Sequence, residues 1–137
     1  MAINNYSTEL FVFNINGRNI TDWGETEPAY TDDELDVKSV LRRGQGGNAV
    51  RLDRINPGRS VTINLQPGSP DSGFVAGLMN SRANITIGVK QVGTLESALG
   101  SEGVITSKGQ KGRGGQTITD DTYTMEFNVW SETAGGE

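Results

Sequence analysis

Residues 60–82, SVTINLQPGSPDSGFVAGLMNSR, carry two periodicities in immediate succession. Val61, Ile63 and Leu65 alternate with Thr62, Asn64 and Gln66, the period of two that sets an apolar face against a polar one along a strand. Ser69-Pro70-Asp71 then supplies an N-cap hydroxyl, a proline at the first helical position and a carboxylate near the positive end of the helix dipole. Phe74, Val75, Leu78 and Met79 fall on one stripe at helical spacing, which predicts a helix whose apolar side is core rather than a ligand groove. It is the one helix the pattern supports.

On either side the chain reads as short strands. STELFVFNIN at 7–16 is rich in Phe, Val and Ile and runs into the turn dipeptide Asn16-Gly17, giving a strand, a tight turn and a short strand to Ile20. Leu35, Val37 and Leu41 alternate with Asp36, Lys38 and Arg42, and Val50 and Leu52 with Arg51 and Asp53, each predicting a strand with one buried face. Ile85, Ile87 and Val89 mark another, and Tyr123, Met125, Phe127 and Val129 the last. Between these, residues 94–100 are expected as a short helical turn and 104–107 as a short strand. The stretch KGQKGRGGQ at 108–116 has no apolar residue and is expected to be a mobile loop, and 131–137 a flexible tail. With 137 residues, all of this fits a single domain, 1–137.

Absent residue types narrow the chemistry. Without Cys or His the chain has no disulfide, thiol nucleophile, Ser-His-Asp triad or thiolate/imidazole zinc site, and no cofactor is implied. A net charge of -5 disfavours affinity for nucleic acid built on phosphate neutralisation. No apolar run approaches the length of a membrane span, and residues 1–6 lack the start of a signal peptide, so no membrane partner is expected and synthesis in a cytoplasm is.

Three features invite a site. Seven acids between Asn19 and Val37 (Asp22, Glu25, Glu27, Asp32, Asp33, Glu34 and Asp36) suggest a hard cation, but Asp32-Asp33-Glu34-Leu35-Asp36 lacks the spacing and glycine of a calcium loop, so an extended acidic surface loop is the better reading. No pair of carboxylates is singled out for hydrolysis. KGQKGRGGQ is not followed by the helix that a phosphate cradle requires. What stands out is a charge split: after the acidic block, Lys38, Arg42, Arg43, Arg51, Arg54 and Arg59 face only Asp53 among acids. An acidic and a basic face on one chain suit head-to-tail contact between copies. On that reading Asp22, Trp23, Glu25, Glu27, Tyr30, Asp32, Asp33, Arg42, Arg43, Arg51, Arg54 and Arg59 are intersubunit candidates. The alternative, a monomeric β-sandwich that binds a sugar or peptide, would need an exposed aromatic platform, and the aromatics outside expected strands are few: Trp23, Tyr30 and Phe74, the last expected in the core.

YSTELFVFNINGRNI at 6–20, DDELDVKSVLRRGQGGNAVRLDRINPGRSVTINLQPGSPDSGFVAGLMN at 32–80 and EGVITSKGQKGRGGQTITDDTYTMEFNVWS at 102–131 together resemble the tail tube proteins of contractile-tailed bacteriophages, in particular a Mu-like or pyocin-like group. The resemblance implies a mainly β fold, a β-sandwich or half-barrel with one flanking α-helix, shared with the type VI secretion tube. It also implies hexameric rings in which strands from each subunit join one continuous barrel. The rings would stack into a tube that conducts DNA, with sheath, baseplate and tail terminator proteins as partners in a virion. No enzymatic activity is implied. Asp36, Asp53, Asn64, Glu126 and Asn128 are the candidates to face the lumen.

Overall fold

The computed structural model describes residues 11–134, so the opening residues of the first expected strand and the end of the tail lie outside the described residues. The described residues are mainly β with one helix. Strands β1 (Phe11–Ile15), β2 (Arg18–Asn19), β3 (Tyr30–Glu34), β6 (Arg59–Leu65), β7 (Ile85–Gln91), β8 (Glu96–Lys108) and β9 (Asp121–Thr133) form one antiparallel sheet in the order β2-β1-β7-β8-β9-β6-β3. Strands β4 (Ser39–Arg43) and β5 (Ala49–Asp53) pair only with each other.

The sheet curls around its own apolar face. Phe13 and Ile15 of β1, Val61, Ile63 and Leu65 of β6, Ile85 and Ile87 of β7, and Tyr123, Met125 and Phe127 of β9 are all buried in one core, as alternation requires. The curl brings the two ends of the sheet together: the ring of Tyr30 on β3 lies 5.4 Å from Phe11 and 5.6 Å from Phe13 on β1, and Trp23 fills the gap at 5.7 Å from each. Side chains rather than ladder hydrogen bonds close this seam, which makes the body a half-barrel. At the first turn, Asn16 and Gly17 both take positive φ, the geometry of a tight hairpin that asparagine and glycine tolerate.

Helix α1 (Pro70–Ser81) begins as its sequence dictates, with the Ser69 hydroxyl accepting from the Ser72 amide and Pro70 at the start. Asp71 does more than complement the dipole. Its carboxylate accepts from the backbone of Thr21 at 2.8 Å and Asp22 at 3.0 Å and from Arg18 at 2.8 Å, tying the helix start to the segment after β2. Of the apolar stripe only Val75 is fully buried, while Phe74, Leu78 and Met79 pack half-buried on the core. Val75→Ala should therefore cost about 2 kcal/mol, and Leu78→Ala less than the 2–5 kcal/mol, roughly, of a fully buried leucine; urea midpoints of the two variants decide the order.

Four expectations are corrected. Residues 30–34 of the acidic stretch are not loop but edge strand, because β6 offers a free ladder and three carboxylates on an edge discourage stray pairing. Of the helical turn expected at 94–100 only 94–95 are turn; from Glu96 the chain is strand β8, bulged where Glu102 takes φ 53° and taking in the strand expected at 104–107. Gly100 and Gly103 in this strand leave the space that Phe127 and Trp130 occupy, so the glycines that suggest a turn serve packing instead. Residues 131–133 of the expected tail are the end of β9, paired with β8. Finally, no residue of β4 or β5 is buried, and the expected buried faces of these strands are exposed.

Candidate functional site

The β4–β5 hairpin stands off the body. Its register puts Val40 opposite Leu52 and Arg42 opposite Val50 on one face, and Leu41 opposite Arg51 and Arg43 opposite Ala49 on the other. Leu41 is 62% exposed and Ile55, just beyond β5, 94%. A lone two-stranded hairpin is at best marginally stable in water, and this one carries a row of exposed Val and Leu rimmed by arginine. Polar contacts give the hairpin its local form. Asp53 accepts from the Ser39 hydroxyl at 2.6 Å and from Arg51 at 2.8 Å, and these hydrogen bonds, Ser39's first, hold its carboxyl below the ordinary aspartate range. Arg54 reaches the Val37 carbonyl and, at 4.0 Å, Asp36. Among the described residues Arg42 and Arg43 have no ion pair.

The other intersubunit candidates divide. Trp23 and Tyr30 are turned onto Phe11 and Phe13, so they seal the half-barrel and offer no aromatic platform. The reason is the curl: the open seam is the largest apolar gap within reach of their backbone. Arg59 pairs with Asp32 inside the same chain, and the Tyr30 hydroxyl donates to Asp32 at 2.7 Å. Burial and that hydrogen bond to a carboxylate push the Tyr30 phenol far above its usual range. Burial opposes the charge of Arg59, but Asp32 outweighs it and raises the guanidinium. Asp22 gives its amide to Asp71, while Glu25, Glu27 and Asp33 remain exposed. The charge split is thus half consumed within the subunit; Arg42 and Arg43 of the hairpin and the exposed Asp33 and Glu34 of β3 are what is left.

The polar face of the sheet is continuous across β3, β6, β9 and β8. In register it reads Thr31, Thr62 and Thr124 in one row and Asp33, Ser60, Glu126 and Val104 in the next, with no cation among them. Glu126 and Asn128 are exposed on β9, where Asn128 donates to Glu102 at 3.3 Å, and Asp36 and Asp53 are exposed at the hairpin. Asn64 does not fit the lumen reading. Although alternation places it on the polar side, it is buried, accepting from the Thr122 hydroxyl at 2.6 Å and donating to the Ala29 carbonyl, because the segment leading into β3 covers it.

Two neighbouring carboxylates form the cluster that sequence reading missed. Asp120 accepts from the backbone of Glu25 at 3.1 Å and Thr26 at 2.8 Å, and Asp121 accepts from Arg113 at 2.9 Å and the Ser72 hydroxyl at 2.5 Å. Burial works against both charges, but these donors prevail and, as at Asp71, hold the carboxyls below their ordinary values. Their folded values lie below the unfolded one of about 3.9, so this stabilisation is complete above that pH and is lost as pH falls through the folded values. Melting temperature should hold from neutral pH to about 5 and drop steeply below about 4. Asp71→Asn should flatten that drop, which thermal melts across the range would show. Among the described residues no group of three or more acids could hold a metal ion, and no helix is long and apolar enough to cross a membrane.

The curled sheet with its flanking helix is a fold that solved chains of contractile injection systems share. A chain of the tube-terminating cap of the anti-feeding prophage matches with a TM-score of 0.59 at 15% identity, covering 98% of this chain and 95% of that one. The sheath/tube terminator of an extracellular contractile injection system, PVC, in its extended state gives 0.59 at 16% identity, with 98% and 100% covered. A chain of the PVC sheath-tube complex gives 0.57 at 16%, with 95% and 92% covered. No protein-family model matches the chain, and no curated protein matches it by sequence.

Proposed function

We propose that the chain is a structural, non-enzymatic subunit of the tail tube of a phage or phage-like particle, assembling with its own copies into stacked, hexameric rings around a conduit for DNA. The observation that supports this reading is the exposed hairpin: a basic, apolar-striped projection, without a cover among the described residues, on a body whose fold is shared with chains of contractile injection systems. Val40, Leu41, Val50 and Leu52 gain burial against the next copy, while Arg42 and Arg43 meet acids such as Asp33 and Glu34 on its β3 edge. The Thr, Ser and Glu face of β6 and β9 lines the channel, where acidic and hydroxyl side chains give phosphates nothing to bind and a polyanion passes without retention. Sheath, baseplate and terminator proteins are the partners of such a tube. The subunit is made in the bacterial cytoplasm and ends in the particle.

Negative-stain electron microscopy of the purified protein tests the reading. Hollow tubes or six-fold rings at high concentration support it; a protein that stays monomeric at every concentration and salt overturns it. Exposed ion pairs contribute at most about 1 kcal/mol each, so assembly rests on many repeats and should weaken as salt rises.

A further inference from the structure

Two loops of unlike composition are fastened through one dipeptide. On one side of the Asp120–Asp121 peptide, the Asp120 carboxylate lies across the backbone of residues 24–26, taking the amides of Glu25 and Thr26; a Cβ at Gly24 would overlap that carboxylate, so the loop is fitted closely to it. On the other side, Asp121 takes Arg113 of the glycine-rich stretch, and the same guanidinium donates to the carbonyls of Gly112 at 2.9 Å and Thr119 at 3.1 Å. Apart from these bonds, Gly112 and Thr119 pair with each other through two contacts, and the Gly109 amide donates to the Thr122 carbonyl at 2.8 Å. Asp121 is itself 5% exposed and locked to Ser72 of α1. Behind the pair, Asp121 lies opposite Leu65, and Leu65 bridges to Trp23, next to the acidic loop.

We propose that Asp120 and Asp121 form a two-sided clasp, so that the acidic loop at 24–26 and the glycine-rich strap at 109–119 dock and release as one unit. Beyond the Gly24 amide on the Asn64 carbonyl and the Gly109 amide on the Thr122 carbonyl, and with Ile118 exposed, each loop is held by charged hydrogen bonds whose acceptors sit on adjacent residues. Loss of Arg113 leaves the Asp121 carboxylate short of a donor where it is buried; the strand start shifts to hydrate it and carries Asp120 off the Glu25 and Thr26 amides. The coupling is reciprocal, as any linkage must be: a partner that grips one loop changes the readiness of the other. The proposal is measured on the isolated chain and stands whether or not the chain forms tubes.

The test compares Arg113→Gln with Asp120→Ala in the full chain. Trypsin cleavage after Lys111 reports the strap, and amide hydrogen exchange at Glu25 and Thr26 reports the acidic loop, with the amides of β6 as the control for folding. Each variant should speed both readouts by roughly tenfold or more while the β6 amides stay protected. The proposal is overturned when either variant leaves the other loop within about twofold of the unmodified chain. Should Asp120→Ala fail to fold, Asp120→Asn, which keeps the size and drops the charge, is read in the same way.

Discussion

Reversing the two hairpin arginines together, Arg42→Glu with Arg43→Glu, should leave a folded subunit that no longer associates with its copies. Both residues are exposed and make no ion pair among the described residues, so the folded chain loses no contact, and its melting temperature should stay within about 2 °C of the parent, in keeping with surface changes of at most about 0.5 kcal/mol. In an assembly each hairpin would instead set two new negative charges against the acids of the β3 edge. Like-charge juxtaposition at an interface costs several kcal/mol, and the cost repeats at every contact of a ring. Sedimentation velocity of parent and variant at low and high salt decides the matter. Equal association of the two would show the hairpin arginines to be solvated surface, and loss of the fold would show that they support the body.

The largest effect on the isolated chain is expected at Phe127. Its ring is fully buried, lies over Gly100 and Gly103 of β8 and meets Trp130 at 5.9 Å. Phe127→Ala removes a ring from a strand that pairs on both sides, where the backbone cannot collapse into the gap, and should cost about 3–5 kcal/mol. Against a total of about 5–15 kcal/mol for a domain of this size, that endangers folding at 37 °C. The opposite change probes the same space. Gly103→Ala drives a methyl group into the ring and should cost about 1–3 kcal/mol, whereas combined with Phe127→Leu it should cost less than the sum of the two, since the smaller side chain vacates the position the methyl needs. Chemical denaturation of the single and double variants measures the coupling, and strictly additive losses would mean that the two positions do not share this space.

Much of the body was readable from local chemistry. Alternation in 60–66, 85–89 and 123–129 identified strands whose apolar residues form the core, and Ser69-Pro70-Asp71 identified the helix start, because a two-residue period and a capped first turn are properties of a short segment by itself. Asn16-Gly17 named its own turn for the same reason. In β8 the signal fails: Gly100 and Gly103 erase the alternation because the volume that would show it belongs to Phe127 and Trp130 on the next strand. Alternation also says that a face is apolar without saying what covers it. Leu41, Val50 and Leu52 therefore read like Val61 and Ile63, yet no second layer among the described residues reaches them. Trp23, Tyr30 and Asn64 went inward against expectation because the seam of a curled sheet lies between segments distant in sequence. The clasp at Asp120 and Asp121 rests on contacts spanning from 8 to 95 positions, so the amino-acid sequence alone determined the elements and their charge, and only the tertiary structure decided which of those charges meet.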